Sequence, residues 1–246
     1  MWNNGHLVFN TEAEPQSSES IAKVVPPQFE PRFVLDLLSY CNKHHQNLCR
    51  SQLDLPKTRL IDCYDRSIIF SSQATKYVTL SYVWSQNQTS IPRAEENMTA
   101  ADDWVLPSVV SQAIEDAIQV TKKLGYRYLW VDKYCIDQKN ELEKLEQIGQ
   151  MDMIYQASEF TIVAAAGYDE HTGLPGVGST TRSLQPAISL GELTIRSTMR
   201  HPHQAIKAAR WMTRGWTLQE SILAKRRLVF TEDQIYFECN AMNCYE

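Results

Sequence analysis

Residues 128–138, YLWVDKYCIDQ, place four apolar or aromatic residues directly before an acid. The run from Tyr128 through Val131 reads as a buried strand, so Asp132 falls where that strand reaches the end of its sheet. In parallel α/β sheets, ligands gather at those carboxyl ends. Two more blocks share this character, YVTLSYVW at 77–84 and RGWTLQE at 214–220, each setting polar residues beside strongly apolar ones.

Working outward from 128, residues 107–124 read as a helix. Pro107 stands at its start, Val110, Ala113, Ile114, Ala117, Ile118 and Val120 form its apolar stripe, and Gly125 ends it. Residues 77–83 precede it as a strand. Residues 141–155 have helical apolar spacing, and 160–166 supply a third strand. This βαβαβ order predicts an α/β fold with a mainly parallel sheet, right-handed crossovers and flanking helices.

Additions are expected at both ends. Residues 1–31, with Pro26, Pro27 and Pro31, read as a flexible leader. Residues 32–76 hold an amphipathic helix over 33–48 and a small hairpin around 62–66, forming an N-terminal extension before a core of 77–246. Residues 184–195 hold one or two short strands, and 227–230 with 234–239 read as a closing β-hairpin.

A net charge of −5 argues against a general nucleic-acid surface, because phosphate binding requires clustered Lys and Arg. Lys225, Arg226 and Arg227 read as a solvated strand entrance or helix end. No apolar run approaches the ~20 residues of a membrane span, and the N-terminus lacks the basic and apolar regions of a secretory signal. The expected location is cytoplasmic. Six cysteines scattered through 246 residues are expected as reduced thiols.

Several residues could carry chemistry. Asp132 either holds a ribose hydroxyl or a base, or caps the following turn. Glu220 follows Trp216 by one helical turn, so an aromatic face and a carboxylate point the same way. That pairing can stabilise positive charge at an anomeric carbon; the bland reading pairs Glu220 with Arg214 or Arg227. Ser81 beside Trp84 lies at a strand end and can line a pocket, although no nucleophile elbow surrounds it. Cys135 would need an adjacent base to act as a nucleophile, and only His171, after the next strand, can approach. Cys41, His45 and Cys49 recur every four residues, which is zinc-ligand chemistry on one helical face. They are three ligands with Cys63 as a candidate fourth, and incidental residues on a structural helix are the expected reading, so no metal is assigned. The glycines of 167–178 do not match a phosphate-binding fingerprint.

These blocks together resemble the fungal heterokaryon incompatibility (HET) domain family. YVTLSYVW is similar to its opening motif, LGYRYLWVDKYCIDQKNELEKLEQIGQMDMIYQASEFTIVAAAG at 124–167 to its central block, and RGWTLQES with RRLVF to its closing block. Ser85 stands where the family usually has Gly, and Lys133-Tyr134 replaces a pair that is commonly smaller. The resemblance implies fungal nonself recognition, in which an incompatible allelic or nonself partner protein triggers cell death. HET domains are similar in turn to TIR domains, which have a flavodoxin-like core, self-associate and in some cases cleave NAD. That step implies Glu220 as the catalytic carboxylate, Ser81, Trp84, Asp132 and Trp216 as substrate-binding residues, and NAD as substrate with no bound cofactor. The alternatives are a non-enzymatic oligomerising signalling module and an inactive copy.

Overall fold

In a computed structural model the chain folds around a ten-stranded sheet. The structure describes residues 7–11, 24–50, 56–72, 74–85, 95–96, 104–191, 193–215, 220 and 222–246, with 7–11 and 95–96 as backbone alone. In chain order come β1 (Leu7–Thr11), α1 (Pro31–His44), α2 (Gln46–Cys49), β2 (Arg59–Asp62), β3 (Ser67–Phe70), β4 (Tyr77–Ser81), β5 (Glu95–Glu96) and β6 (Trp104–Val105). Next are α3 (Gln112–Lys123), β7 (Tyr128–Trp130), α4 (Asp132–Cys135), α5 (Glu141–Gly149), α6 (Met151–Ala157) and β8 (Thr161–Ala164). The last are β9 (Ala187–Leu190), β10 (Leu193–Ser197), α7 (Pro202–Ala208), a 3-10 turn at Arg210–Thr213, β11 (Arg226–Phe230), β12 (Ile235–Cys239) and β13 (Asn243–Tyr245).

Strands β7, β4, β8 and β11 lie side by side and parallel. Counted along the chain, their order across the sheet is 2-1-3-4. Beyond β11 come β12 and β13, and beyond β7 come β2, β3, β6 and β5, all paired antiparallel. The sheet is therefore mixed, where a mainly parallel one was expected. Short turns such as the one from β11 to β12 permit only antiparallel pairing, whereas parallel neighbours need a crossover.

The expected hairpin addition is part of this sheet, since Ile61 of β2 pairs with Leu129 of β7. Within the stretch expected as a leader, β1 pairs antiparallel with β10, which also pairs with β9 in a separate sheet.

The parallel strands are the core. Every residue of β4 and β8 is buried, as both faces of a helix-covered sheet require. Trp130, Tyr77, Tyr82, Tyr155, Phe160 and Phe230 are among its largest buried side chains. Helix α3 packs against β4 and β7, and its predicted stripe of Ala113, Ile114, Ala117, Ile118 and Val120 is buried. It closes before Gly125, whose φ of +80° lets the chain leave the helix in a left-handed conformation. The helix expected over 141–155 is two helices that meet at Gln150 (φ −103°, ψ 1°).

Register sets the site. Thr79 of β4 pairs with Trp130 of β7, so Ser81 and Asp132 stand level at the carboxyl ends of adjacent parallel strands.

Candidate functional site

The residues leaving β4 and β7 build the site together with segments that return to them late in the chain. Ser81, the last residue of β4, is buried. Its Oγ accepts a hydrogen bond from Trp211 Nε1 at 2.7 Å and donates one to Glu220 Oε2. The other carboxylate oxygen of Glu220 faces Arg214 Nη2 at 3.7 Å. The same guanidinium donates through Nη1 to the Tyr82 carbonyl, which ties the 214–220 block to the end of β4.

Asp132 opens α4 and is half-buried. Its Oδ1 accepts from Trp84 Nε1 at 3.2 Å and from the Lys133 backbone N–H at 2.7 Å. One oxygen therefore holds both the first turn of α4 and the Trp84 indole that follows β4. Gln138 holds the turn by donating from Nε2 to the Asp132 carbonyl at 3.1 Å.

Burial shifts both acids. Burial raises the Asp132 carboxyl to about 7, the Glu220 carboxylate adds to that shift, and Arg214 opposes it. Burial also raises Glu220, opposed by Arg214 and by the Ser81 hydroxyl. The ionised Glu220 carboxylate favours the protonated form of Asp132. A carboxyl that titrates near neutral pH beside a second buried carboxyl is a common arrangement in sites that move protons.

Two buried phenols feel the charges of these acids. The hydroxyls of Tyr82 and Tyr155 have no hydrogen-bond partner among the described residues. Burial and then the charges of Glu220 and Asp132 keep Tyr155 protonated well above its usual range. For Tyr82 the causes are burial and then Asp132 and Glu170. A buried unpaired hydroxyl is costly to fold.

Of the sequence-predicted residues, the structure brings together Ser81, Trp84, Asp132 and Glu220. Trp216 lies outside the described residues. Arg227, a candidate partner of Glu220, pairs instead with Glu238 at 2.7 Å. Sequence reasoning did not single out Trp211, and Tyr82 and Tyr155 read as core because they end a strand run and a helical apolar stripe. Cys135 is fully buried, its Sγ accepts the Val131 N–H at 3.3 Å, and burial pushes its thiol up to about 12. His171, the base considered for it, is exposed.

The two departures from the HET pattern are accommodated. Ser85 is absent from the described non-glycine residues of positive φ, so the turn there does not need glycine. Lys133 is buried and its Nζ meets Glu170 Oε1 and Oε2 at 3.1 and 3.2 Å. A cavity of about 620 Å³ lies over the ends of β8 and β11, lined among others by Gly167, His171, Thr180, Arg182 and Glu232. It adjoins the strand ends but does not include Asp132 or Glu220.

A family model described as Heterokaryon incompatibility protein (HET) matches residues 77–220. The chain belongs to the HET family. The matched span is more than half of the chain, begins with β4 and closes on Glu220, so it frames Ser81, Trp84, Asp132, Tyr155, Trp211 and Arg214. Neither curated proteins nor solved structures give a match to this HET protein. No described helix is long and apolar enough to cross a membrane.

Proposed function

We propose that this HET domain acts in nonself recognition leading to cell death, and that it does so by hydrolysing NAD at the bond between nicotinamide and ribose. The observation that carries the reading is the convergence of Glu220 and Asp132 at the carboxyl ends of β4 and β7, with Ser81 bonded to Glu220. The 2-1-3-4 order of the parallel strands supports a TIR/flavodoxin-like core, since ligands of such sheets bind where strand order reverses. That reversal falls between β8 and β4, the strand that ends in Ser81.

The chemistry follows from the two acids. As the C1′–N bond breaks, its electron pair passes to the nicotinamide ring nitrogen and discharges the pyridinium, while the ribose gains oxocarbenium character. Glu220, ionised and oriented by Ser81 and Arg214, stabilises that positive charge. Water adds at C1′ and gives its proton to Asp132 in its ionised form, leaving ADP-ribose and nicotinamide. Trp84 and Trp216 shape the pocket in this reading. An incompatible allelic or nonself protein is the partner, self-association brings domains together, and the reaction takes place in the cytoplasm.

A second reading has its own observation. Glu220 is buried and satisfied by Ser81 and Arg214, as a structural ion pair would be. The domain would then kill as a non-enzymatic, oligomerising module. Nicotinamide release by purified, concentrated protein separates the two, with Glu220→Gln as control and circular dichroism to check folding. Turnover lost in the folded variant supports hydrolysis. No turnover by the wild type, with toxicity kept in Glu220→Gln, supports the scaffold.

A further inference from the structure

At the other end of the sheet from the carboxylates, four metal-ligating side chains meet. Cys41 belongs to α1, His45 is the single residue between α1 and α2, Cys49 ends α2, and Cys239 ends β12. The Sγ atoms of the three cysteines and a ring nitrogen of His45 all lie within 4.8 Å of one another. The fourth member is supplied by β12, and the Cys63 considered from the sequence is not part of the group. From these positions we infer that the chain binds one zinc ion through Cys41, His45, Cys49 and Cys239.

The donor set fits that ion. Three thiolates and one imidazole form one of the recurring sets of structural zinc, with ligand bonds of about 2.0–2.3 Å. A tetrahedron of that size separates its donor atoms by about 3.5–3.8 Å. Cys239 Sγ and His45 Nδ1 are already 3.5 Å apart. The remaining separations, at most 4.8 Å, need to contract by only about 1 Å. Soft thiolate donors in this number select zinc over magnesium, calcium or manganese.

The surroundings support a charged centre. Zinc with three thiolates carries a net charge of −1, and Arg226 donates from Nε to Cys41 Sγ at 3.2 Å. Arg226 is itself buried, and is held by Asn42 Oδ1 at 2.6 Å and the Glu159 carbonyl at 3.2 Å. Such a donor to a ligating sulfur orients it and balances its charge. The three cysteines are buried and free of disulfides, and four ligand positions filled by protein describe a closed, structural site.

The consequence is mechanical. Residues 41–49 and 239 lie outside the span matched by the HET family model, so the ion would clip this chain's N-terminal helices to its C-terminal hairpin. Two weaker ties follow the same seam: Asn240 Nδ2 donates to the Leu48 carbonyl, and Lys225 Nζ to the Arg50 carbonyl, both at 2.9 Å. Joining segments so far apart in sequence restricts the unfolded chain strongly.

The test uses the full chain purified under reducing conditions from zinc-supplemented medium. Elemental analysis should find about one zinc per chain, and chelation should lower the melting temperature. Cobalt should substitute with intense visible absorption and thiolate charge-transfer bands. Cys239→Ser should reduce zinc to background, Cys244→Ser should leave it unchanged, and His45→Cys, which keeps four ligands, should retain it. If Cys239→Ser fails to fold, the half-exposed His45→Ala provides the loss-of-ligand arm through an altered cobalt spectrum. The inference is overturned if the wild type carries no zinc and gives no cobalt spectrum. Metal content unchanged by Cys239→Ser and His45→Ala, or a disulfide between two of these cysteines in protein purified without reductant, also overturns it.

Discussion

Replacing Asp132 by Asn should flatten the dependence of stability on pH across the acid to neutral range. In the folded protein the Asp132 carboxyl is raised from 3.8 to about 7, by burial and then by the Glu220 charge. Below 3.8 the group is protonated whether the chain is folded or not. Between the two values the unfolded chain has lost the proton and the folded chain keeps it, so stability falls as pH rises, by up to about 1.4 kcal/mol per pH unit. Over the whole window this amounts to an upper limit of about 4 kcal/mol, reduced by the partial exposure of the group. Above about 7 both states are ionised and the contribution levels off. Urea unfolding of the wild type and Asp132→Asn at a series of pH values measures the difference directly. The expected result is a wild-type stability that declines towards neutrality more steeply than that of the variant. Parallel pH dependences in the two proteins would refute the claim that Asp132 keeps its proton in the folded state.

The remaining predictions concern neighbouring groups. Glu220→Gln removes the charge that helps hold the Asp132 proton, so the decline in stability due to Asp132 should end at a lower pH than in the wild type, read from the same titrations. Lys133→Met leaves Glu170 buried without its cation and should cost about 3–5 kcal/mol, whereas adding Glu170→Leu should recover most of that loss; equal stability of the single and double variants in urea would count against it. Leu80→Ala in the middle of β4, where Leu80 is 1% exposed, should cost about 2–5 kcal/mol through lost burial and a cavity, measured by calorimetry. Gly173→Ala should destabilise, because φ is +77° and a Cβ would stand 2.6 Å from Asp116 Oδ2 and 2.5 Å from Thr180 Oγ1; an unchanged melting temperature would contradict this.

Local order along the chain was enough to place the elements and their chemistry. Period-three-and-a-half spacing located α3, continuous β-branched and aromatic runs located β4, β7 and β8, and the abrupt acid after Val131 marked a strand end. Three ordered motifs also sufficed for the HET family. These readings succeed because each depends on residues a few positions apart, where propensity and periodicity act. Local pattern does not encode which strands become neighbours. The antiparallel pairing of β2 with β7 made the sheet mixed, and only side-by-side register set Ser81 level with Asp132. The same limit hid Trp211 and Tyr155, whose polar atoms matter only after a distant strand end or carboxylate arrives beside them. It hid the Cys239 ligand too, because 41, 45 and 49 can be counted along a helix, while position 239 joins them only when β12 packs against α1. Long-range packing decided where these charges and donors meet, because burial and Coulomb interactions act through space, not along the chain.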